Sequence, residues 1–86
     1  MTPLEAVQVL ERLRADDDIG MRLDVLPGSG GFDWYIGSKT LFTSEAWKAY
    51  GTADSFPEAI QRMGDAAARA YPDTRFATWW NERIKH

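Results

Sequence analysis

The sequence predicts an α+β fold: an N-terminal helix, an antiparallel β-meander of two to three strands, then a central helix and a short C-terminal helix packed on the sheet. Three observations lead to this prediction. Apolar residues recur at helical spacing towards both ends of the chain, they alternate with polar residues in between, and a glycine-rich loop interrupts the alternation. With 86 residues, the chain is expected to form one small domain over 1–86.

A first helix is predicted over residues 2–15. Thr2 and Glu5 have the spacing of a capping box, and Pro3 suits the first turn, where a backbone N–H has no helical partner. The apolar residues that follow fall on one side of this helix. The three aspartates at 16–18 would face the negative end of the helix dipole, so we expect the helix to end before them.

A β-hairpin is predicted around the loop 27–31, which consists of proline, glycine and serine. Apolar and polar residues alternate over 21–26, and Phe32, Trp34 and Ile36 alternate with polar residues after the loop. The loop is not expected to bind phosphate, because it joins two strands and does not open a helix. We therefore expect two antiparallel strands joined by a flexible tip.

Residues 40–51 allow two interpretations. As a strand, the segment would be irregular near 43–45 and end near Tyr50, with Trp47 and Ala49 on the same face. As a helix over 44–50, it would begin at Thr43 and end before a glycine. We favour a third antiparallel strand, because a two-stranded hairpin alone is a poor platform for several helices.

The central helix has the clearest start signal in the chain. Ser55 and Glu58 have the spacing of a second capping box, and the helix they open is predicted to reach about Tyr71. Gly64 is unfavourable in a helix interior by roughly 1 kcal/mol relative to alanine. Its position at the edge of the apolar side predicts that a neighbouring element lies against it.

A last helix is predicted over 74–84, with Phe76, Ala77 and Trp80 on its apolar side. Trp79 lies about 100° away from Trp80 around the helix axis. The two tryptophans therefore cannot be equally buried, and one of them is expected at the surface.

Composition restricts the classes of function. The chain has no cysteine and one histidine, His86 at the last position, so thiol chemistry is excluded and histidine-dependent catalysis or zinc binding is not expected. No apolar run is long enough to span a bilayer and no signal peptide is recognisable, which predicts a cytoplasmic protein without membrane association. We expect no enzyme activity, cofactor or metal. The net charge of −3 does not favour direct binding of nucleic acid.

The candidate binding residues are acidic or aromatic. The consecutive aspartates lack the alternate spacing and the distal glutamate of a calcium loop, so a solvated acidic turn is the simplest interpretation. The functional interpretation is an acidic patch that docks on a basic surface of a larger host protein or complex, with exposed aromatic residues as anchors. The predicted partner-binding residues are Asp16, Asp17, Asp18, Asp24, Asp33, Tyr35 and Trp79.

Two resemblances bear on function. Residues 51–60, with the sequence GTADSFPEAI, resemble the Gly-x-Ser/Thr-x-x-Glu-Ala segment that links a strand to a helix in small antitoxin-like and double-stranded-RNA-binding-like domains. By size, acidity, absence of cysteine and aromatic content, the chain also resembles small phage and mobile-element proteins, anti-CRISPR inhibitors among them.

These resemblances imply a non-enzymatic, protein-binding inhibitor, plausibly phage-encoded, that blocks a host nucleic-acid-targeting complex by occupying a protein surface. An antitoxin-like or assembly module with a partner encoded beside it is the first alternative. A small nucleic-acid-binding domain is the second. The surplus of apolar residues also leaves a homodimer open.

Overall fold

The computed structural model describes residues 1–28, 30–38 and 47–84, and it confirms the predicted α+β fold. The chain forms one helix, three strands and then two helices. Their bounds are α1 Pro3–Ala15, β1 Ile19–Val25, β2 Phe32–Ser38, β3 Trp47–Ala53, α2 Phe56–Ala70 and α3 Arg75–Ile84. Within the described ranges, no helix has the length and apolar character needed to cross a membrane.

The predicted start and end of α1 are confirmed. Thr2 Oγ1 accepts a hydrogen bond from the Glu5 backbone N–H at 3.2 Å, and Glu5 Oε1 accepts one from the Thr2 N–H at 3.2 Å. The two residues therefore form the complete capping box. The helix ends at Ala15, and Asp16 is its C-terminal cap in extended conformation.

The three strands form one antiparallel sheet in the order β1-β2-β3. The predicted hairpin is confirmed: Val25 pairs with Phe32, and the Leu26 N–H donates to the Gly31 carbonyl at 2.9 Å. Strand β1 begins two residues earlier than predicted, at Ile19, because this buried side chain belongs to the core and pairs in register with Ser38.

The third strand is confirmed where the structure describes it. Strand β3 runs over Trp47–Ala53 and pairs with β2. The alternative helix over 44–50 is therefore wrong from Trp47 onward, and the predicted strand residues 40–46 lie outside the described residues. The strand also extends beyond Tyr50, because Thr52 and Ala53 continue the pairing with Asp33 and Phe32.

An irregularity at the start of β3 overturns one predicted face. Ile36 pairs with Ala49 and Gly37 pairs with Trp47, so Lys48 is an extra residue with no partner across the strand pair. Such a bulge turns the following side chains to the other face of the sheet. The prediction that Trp47 and Ala49 share a face is therefore wrong.

The capping of α2 departs slightly from the prediction. Ser55 Oγ accepts a hydrogen bond from the Glu58 N–H at 3.3 Å, as a capping box requires. Glu58 Oε2, however, accepts from the Asp54 N–H at 3.1 Å, one residue before the expected donor. The helix ends at Ala70 with Tyr71 as its cap, close to the predicted end.

The core lies between one face of the sheet and the three helices. Helix α2 packs on β2 and β3, while α1 contacts β1 and α2, and α3 contacts α2. As predicted, Gly64 faces another element: the indole of Trp80 lies directly against it. The buried apolar side chains are Ala6, Val9, Leu13, Ile19, Trp34, Ile36, Ala53, Ala59, Ile60, Met63, Ala67, Ala68, Phe76, Ala77 and Trp80.

Candidate functional site: the open face of the sheet

The helices cover only one face of the sheet, and we call the other face the open face. It exists because side chains alternate along each strand. Residues on β1 and β2 that alternate with the buried Ile19, Trp34 and Ile36 must point away from the helices. The open face consists of Arg22 and Asp24 from β1, Asp33 and Tyr35 from β2, and Trp47, Tyr50 and Thr52 from β3.

Three aromatic residues form the centre of the open face. Tyr35 and Tyr50 are directly opposite each other on β2 and β3. The rings of Tyr35 and Trp47 lie 5.5 Å apart at an angle of 41°, and Tyr50 is 74% exposed. Ring centroids at this separation attract each other, so Tyr35 and Trp47 stabilise each other's positions.

Arg22 borders the aromatic cluster on the β1 side. Its guanidinium lies 5.6 Å from the ring centroid of Tyr35, and its Nε donates to Asp24, with an ion-pair distance of 3.1 Å. The hydrogen bond that Arg22 donates to Asp24, followed by the charge of that carboxylate, raises the pKa of Arg22 above its ordinary value. The open face thus already contains one guanidinium held by an aromatic ring and a carboxylate.

Two carboxylates lie side by side on this face. Asp24 and Asp33 are directly opposite each other in the β1–β2 register. Like charges in such positions destabilise a sheet by up to about 1 kcal/mol. Arg22 pairs with Asp24, whereas Asp33 takes part in no ion pair among the described residues. Within the described ranges, Arg22 therefore neutralises only one of the two facing carboxylates.

The aspartates at 16–18 lie elsewhere. Asp16 is only 8% exposed: its Oδ2 accepts a hydrogen bond from the Phe76 N–H at 3.0 Å, and its Oδ1 accepts one from the Asp18 N–H at 3.0 Å. It therefore acts inside the protein as a cap of α3. Asp17 and Asp18 are exposed, but the strand places them about 20 Å from Asp24.

Trp79 also lies away from the open face, at the junction of α1 and α3. Its ring is half-buried, whereas the neighbouring Trp80 is fully buried. The two tryptophans therefore differ in burial, as their helical spacing predicted. The guanidinium of Arg12 lies 5.0 Å from the Trp79 ring, and that of Arg83 lies 5.8 Å from it. Arg83 in turn pairs with Glu5 at 3.1 Å. Trp79 therefore joins the two helices.

Of the seven predicted binding residues, the structure brings together only Asp24, Asp33 and Tyr35. Trp47 and Tyr50 were not predicted as surface candidates from the sequence. Alternation from β2 would have placed Tyr50 opposite Tyr35 once the strand register was known. No signal in the sequence would have placed Trp47, because the bulge that turns it outward depends on pairing.

Comparison with known proteins adds no assignment: no protein-family model, no curated protein and no solved structure matches the chain. In the described part of the chain, no group of three His, Cys, Asp or Glu side chains is arranged to hold a metal ion. The candidate site therefore rests on the chemistry of the open face.

Proposed function

We propose that the protein is a non-enzymatic binding protein whose open face docks on a basic surface of a larger protein. The observation that carries the proposal is the facing pair Asp24 and Asp33, which lies beside the half-buried Tyr35 and Trp47 and the exposed Tyr50 on the face of the sheet opposite the described helices. The facing carboxylates and the solvent-exposed aromatic surface are unfavourable for the stability of the free protein, and both would become favourable in a complex.

The charge argument concerns Asp33. A partner's lysine or arginine placed beside it would relieve the repulsion from Asp24 and complete a second ion pair. Arg22 shows the geometry such a cation can adopt, because it contacts a carboxylate and an aromatic ring together. Arginine is well suited to this role, since its flat guanidinium stacks on rings and donates hydrogen bonds in its plane.

The aromatic cluster would supply the contact area. Tyrosine and tryptophan are enriched among interface residues that dominate binding energy, and they lose little conformational entropy on binding. Tyr35 and Trp47 are already held by each other, so they are ordered before a partner arrives. Tyr50 extends furthest into solvent and is the expected anchor.

The most specific form of the proposal is a phage-encoded inhibitor of a nucleic-acid-targeting complex of the host. Carboxylates that bind a basic groove compete with the phosphates that the groove otherwise binds. The acidic open face and the net charge of −3 support this form. In that case, partner binding and nucleic-acid binding should exclude each other.

The first test uses Asp33→Asn, which keeps the side-chain shape and removes the charge. We expect the variant to be more stable than the parent in urea unfolding, by up to about 1 kcal/mol, because the facing carboxylates no longer repel. We also expect it to lose affinity for the partner. Gain of stability together with loss of binding distinguishes a functional charge from a structural one.

The binding arm uses immobilised protein and host lysate at low salt. A supporting result is one partner retained by the parent and by the control Glu82→Gln, but lost from Asp33→Asn and Tyr50→Ser. Added nucleic acid should displace that partner. If Asp33→Asn changes neither stability nor retention, or if all variants retain the same proteins, the proposal is wrong.

A single-stranded nucleic-acid-binding function is the second candidate, and one observation favours it. Tyr35, Trp47 and Tyr50 lie on one face of two neighbouring strands, and proteins that stack unpaired bases also carry aromatic residues on a sheet face. Asp24 and Asp33 on the same face oppose it, because they repel phosphates. A gel shift with an unstructured oligonucleotide at moderate salt decides: a shift abolished by Tyr50→Ser would support this function over protein docking.

A further inference from the structure

A second surface feature lies on the helical side of the sheet, where an open groove of about 510 Å³ runs between α2 and the edge strand β3. Its walls are made of small side chains, Ala66 and Ala70 from the helix and Ala49 from the strand, with the indole of Trp34 beside them. The groove exists because three alanines meet where larger residues would fill the space. We call it the α2–β3 groove.

The rim of the α2–β3 groove is basic. Lys48, Arg62 and Arg69 line it, with Asp65 as the one carboxylate among the described lining residues. Asp65 Oδ1 accepts a hydrogen bond from the Trp80 indole N–H at 3.1 Å, so one oxygen of this carboxylate already has a partner in the core. The local charge around the groove is therefore positive, although the chain as a whole has a net charge of −3.

Much of this positive charge has no ion-pair partner in the described part of the chain. Among the ion pairs of the described residues, none involves Lys48 or Arg69. Arg62 pairs with Glu58 through one nitrogen at 2.8 Å, and a guanidinium has five N–H donors, so others remain. Arg62 and Arg69 are two helical turns apart, about 10 Å, a separation that two long side chains can span to reach one anion.

Trp34 gives the groove an aromatic wall. It is 8% exposed, and its Nε1–H is buried without a hydrogen-bond partner among the described residues. Gly51 is required beside it, since a Cβ there would lie 2.9 Å from the indole Cζ2. The strand therefore keeps this ring in a fixed position next to the alanines.

We propose that the α2–β3 groove binds a small planar aromatic anion. The indole and alanine walls suit a flat apolar body, and the cations on the rim suit a carboxylate, sulfonate or phosphate group attached to it. The volume is in the range of sites for small molecules, and a mixture of apolar walls with a few charged groups is their usual lining. The site is separate from the open face, so it stands independently of the proposed partner.

The probe is 1-anilinonaphthalene-8-sulfonate, titrated by its fluorescence. We expect saturable binding of one molecule, weakened about tenfold by Arg69→Gln or Lys48→Gln, because each removes a charge-assisted hydrogen bond. Arg75→Gln, an equal charge change at an exposed site outside the groove, should leave affinity unchanged. N-phenyl-1-naphthylamine has the same rings without the sulfonate, and it should bind weakly and respond to none of these variants.

Nuclear magnetic resonance of the four tryptophan indole N–H groups locates the probe. We expect the Trp34 resonance to shift most during the titration, with Trp79 nearly unaffected. The inference is overturned if the probe does not bind, if Arg69→Gln and Arg75→Gln bind it equally, or if Tyr50→Ser on the open face abolishes binding. Far-UV circular dichroism of each variant confirms that the fold is retained in the comparison.

Discussion

Gly64 shows how one residue determines the distance between two helices. A Cβ at this position would lie 2.5 Å from Cη2 and 2.6 Å from Cζ3 of Trp80. That indole cannot move aside easily, because it stacks on Phe76 with centroids 5.8 Å apart and donates its N–H to Asp65. The sequence predicted a neighbour at Gly64, but only the structure identifies it.

Gly64→Ala should therefore destabilise the protein, although alanine is the better helix former by roughly 1 kcal/mol. We expect the free energy of unfolding in urea to fall by about 1–3 kcal/mol, because the added methyl overpacks the contact with Trp80. Gln8→Ala, at an exposed position of α1, is the control and should be neutral or slightly stabilising. A Gly64→Ala variant more stable than the parent would contradict the close contact.

Helix starts were the most predictable features of the fold, because a helix cap depends on residues that are only three positions apart in the sequence. The boxes at Thr2 and Ser55 were both recognised from sequence, and both hydroxyl groups accept the predicted N–H. That Glu58 accepts from the Asp54 N–H and not from the Ser55 N–H was not predictable, since it depends on how the chain passes from β3 into α2. Strand β3 was the least predictable element for the same reason: its bulge arises from pairing with β2.

The second cap predicts a pH dependence. The hydrogen bond from the Asp54 N–H, followed by the one from Arg62, holds the pKa of Glu58 below its ordinary value of 4.5. A lowered pKa in the folded state stabilises the protein fully above the unfolded-state pKa, and this contribution is lost as the pH falls through the folded-state pKa. Stability should therefore decline below about pH 4.5.

Glu58→Gln tests this dependence in urea unfolding between pH 7 and pH 3. The variant should be less stable than the parent at pH 7, and the difference between them should shrink as the pH falls, because protonation removes the same charge from the parent. Hydrogen bonding with Thr2 lowers the pKa of Glu5 as well. Both proteins should therefore retain the part of the acid-induced loss of stability that is due to Glu5. A constant difference across the range would show that the Glu58 charge does not contribute. Glu82→Gln is the matched control.

The whole molecule is held together by contacts between its first and last thirds. Asp16 ends α1 and caps α3, although it is 60 residues from Phe76 in sequence. Arg83 and Glu5, which are 78 residues apart, join the same two helices, and Arg12 lies over Trp79. The sequence predicted the helices but could not predict these contacts, because local patterns do not specify which helices meet.

Asp16→Ala should destabilise the whole protein by about 1–3 kcal/mol, since it leaves a buried N–H of α3 unsatisfied. Asp17→Ala, its exposed neighbour, should change stability by less than about 0.5 kcal/mol. Urea unfolding followed by tryptophan fluorescence measures both. Equal stability of the two variants would mean that the carboxylate of Asp16 is not a structural cap.

The bulge at Lys48 has a consequence for how this protein can change. Because one inserted residue turns Trp47 towards Tyr35 while Ala49 stays with the core, the strand separates the side chains that meet solvent from those that support the helices. Mutations at Trp47 and Tyr50 can then accumulate without disturbing the interior. Under the proposed function, these two side chains are the positions at which binding specificity could change while the fold beneath them stays the same.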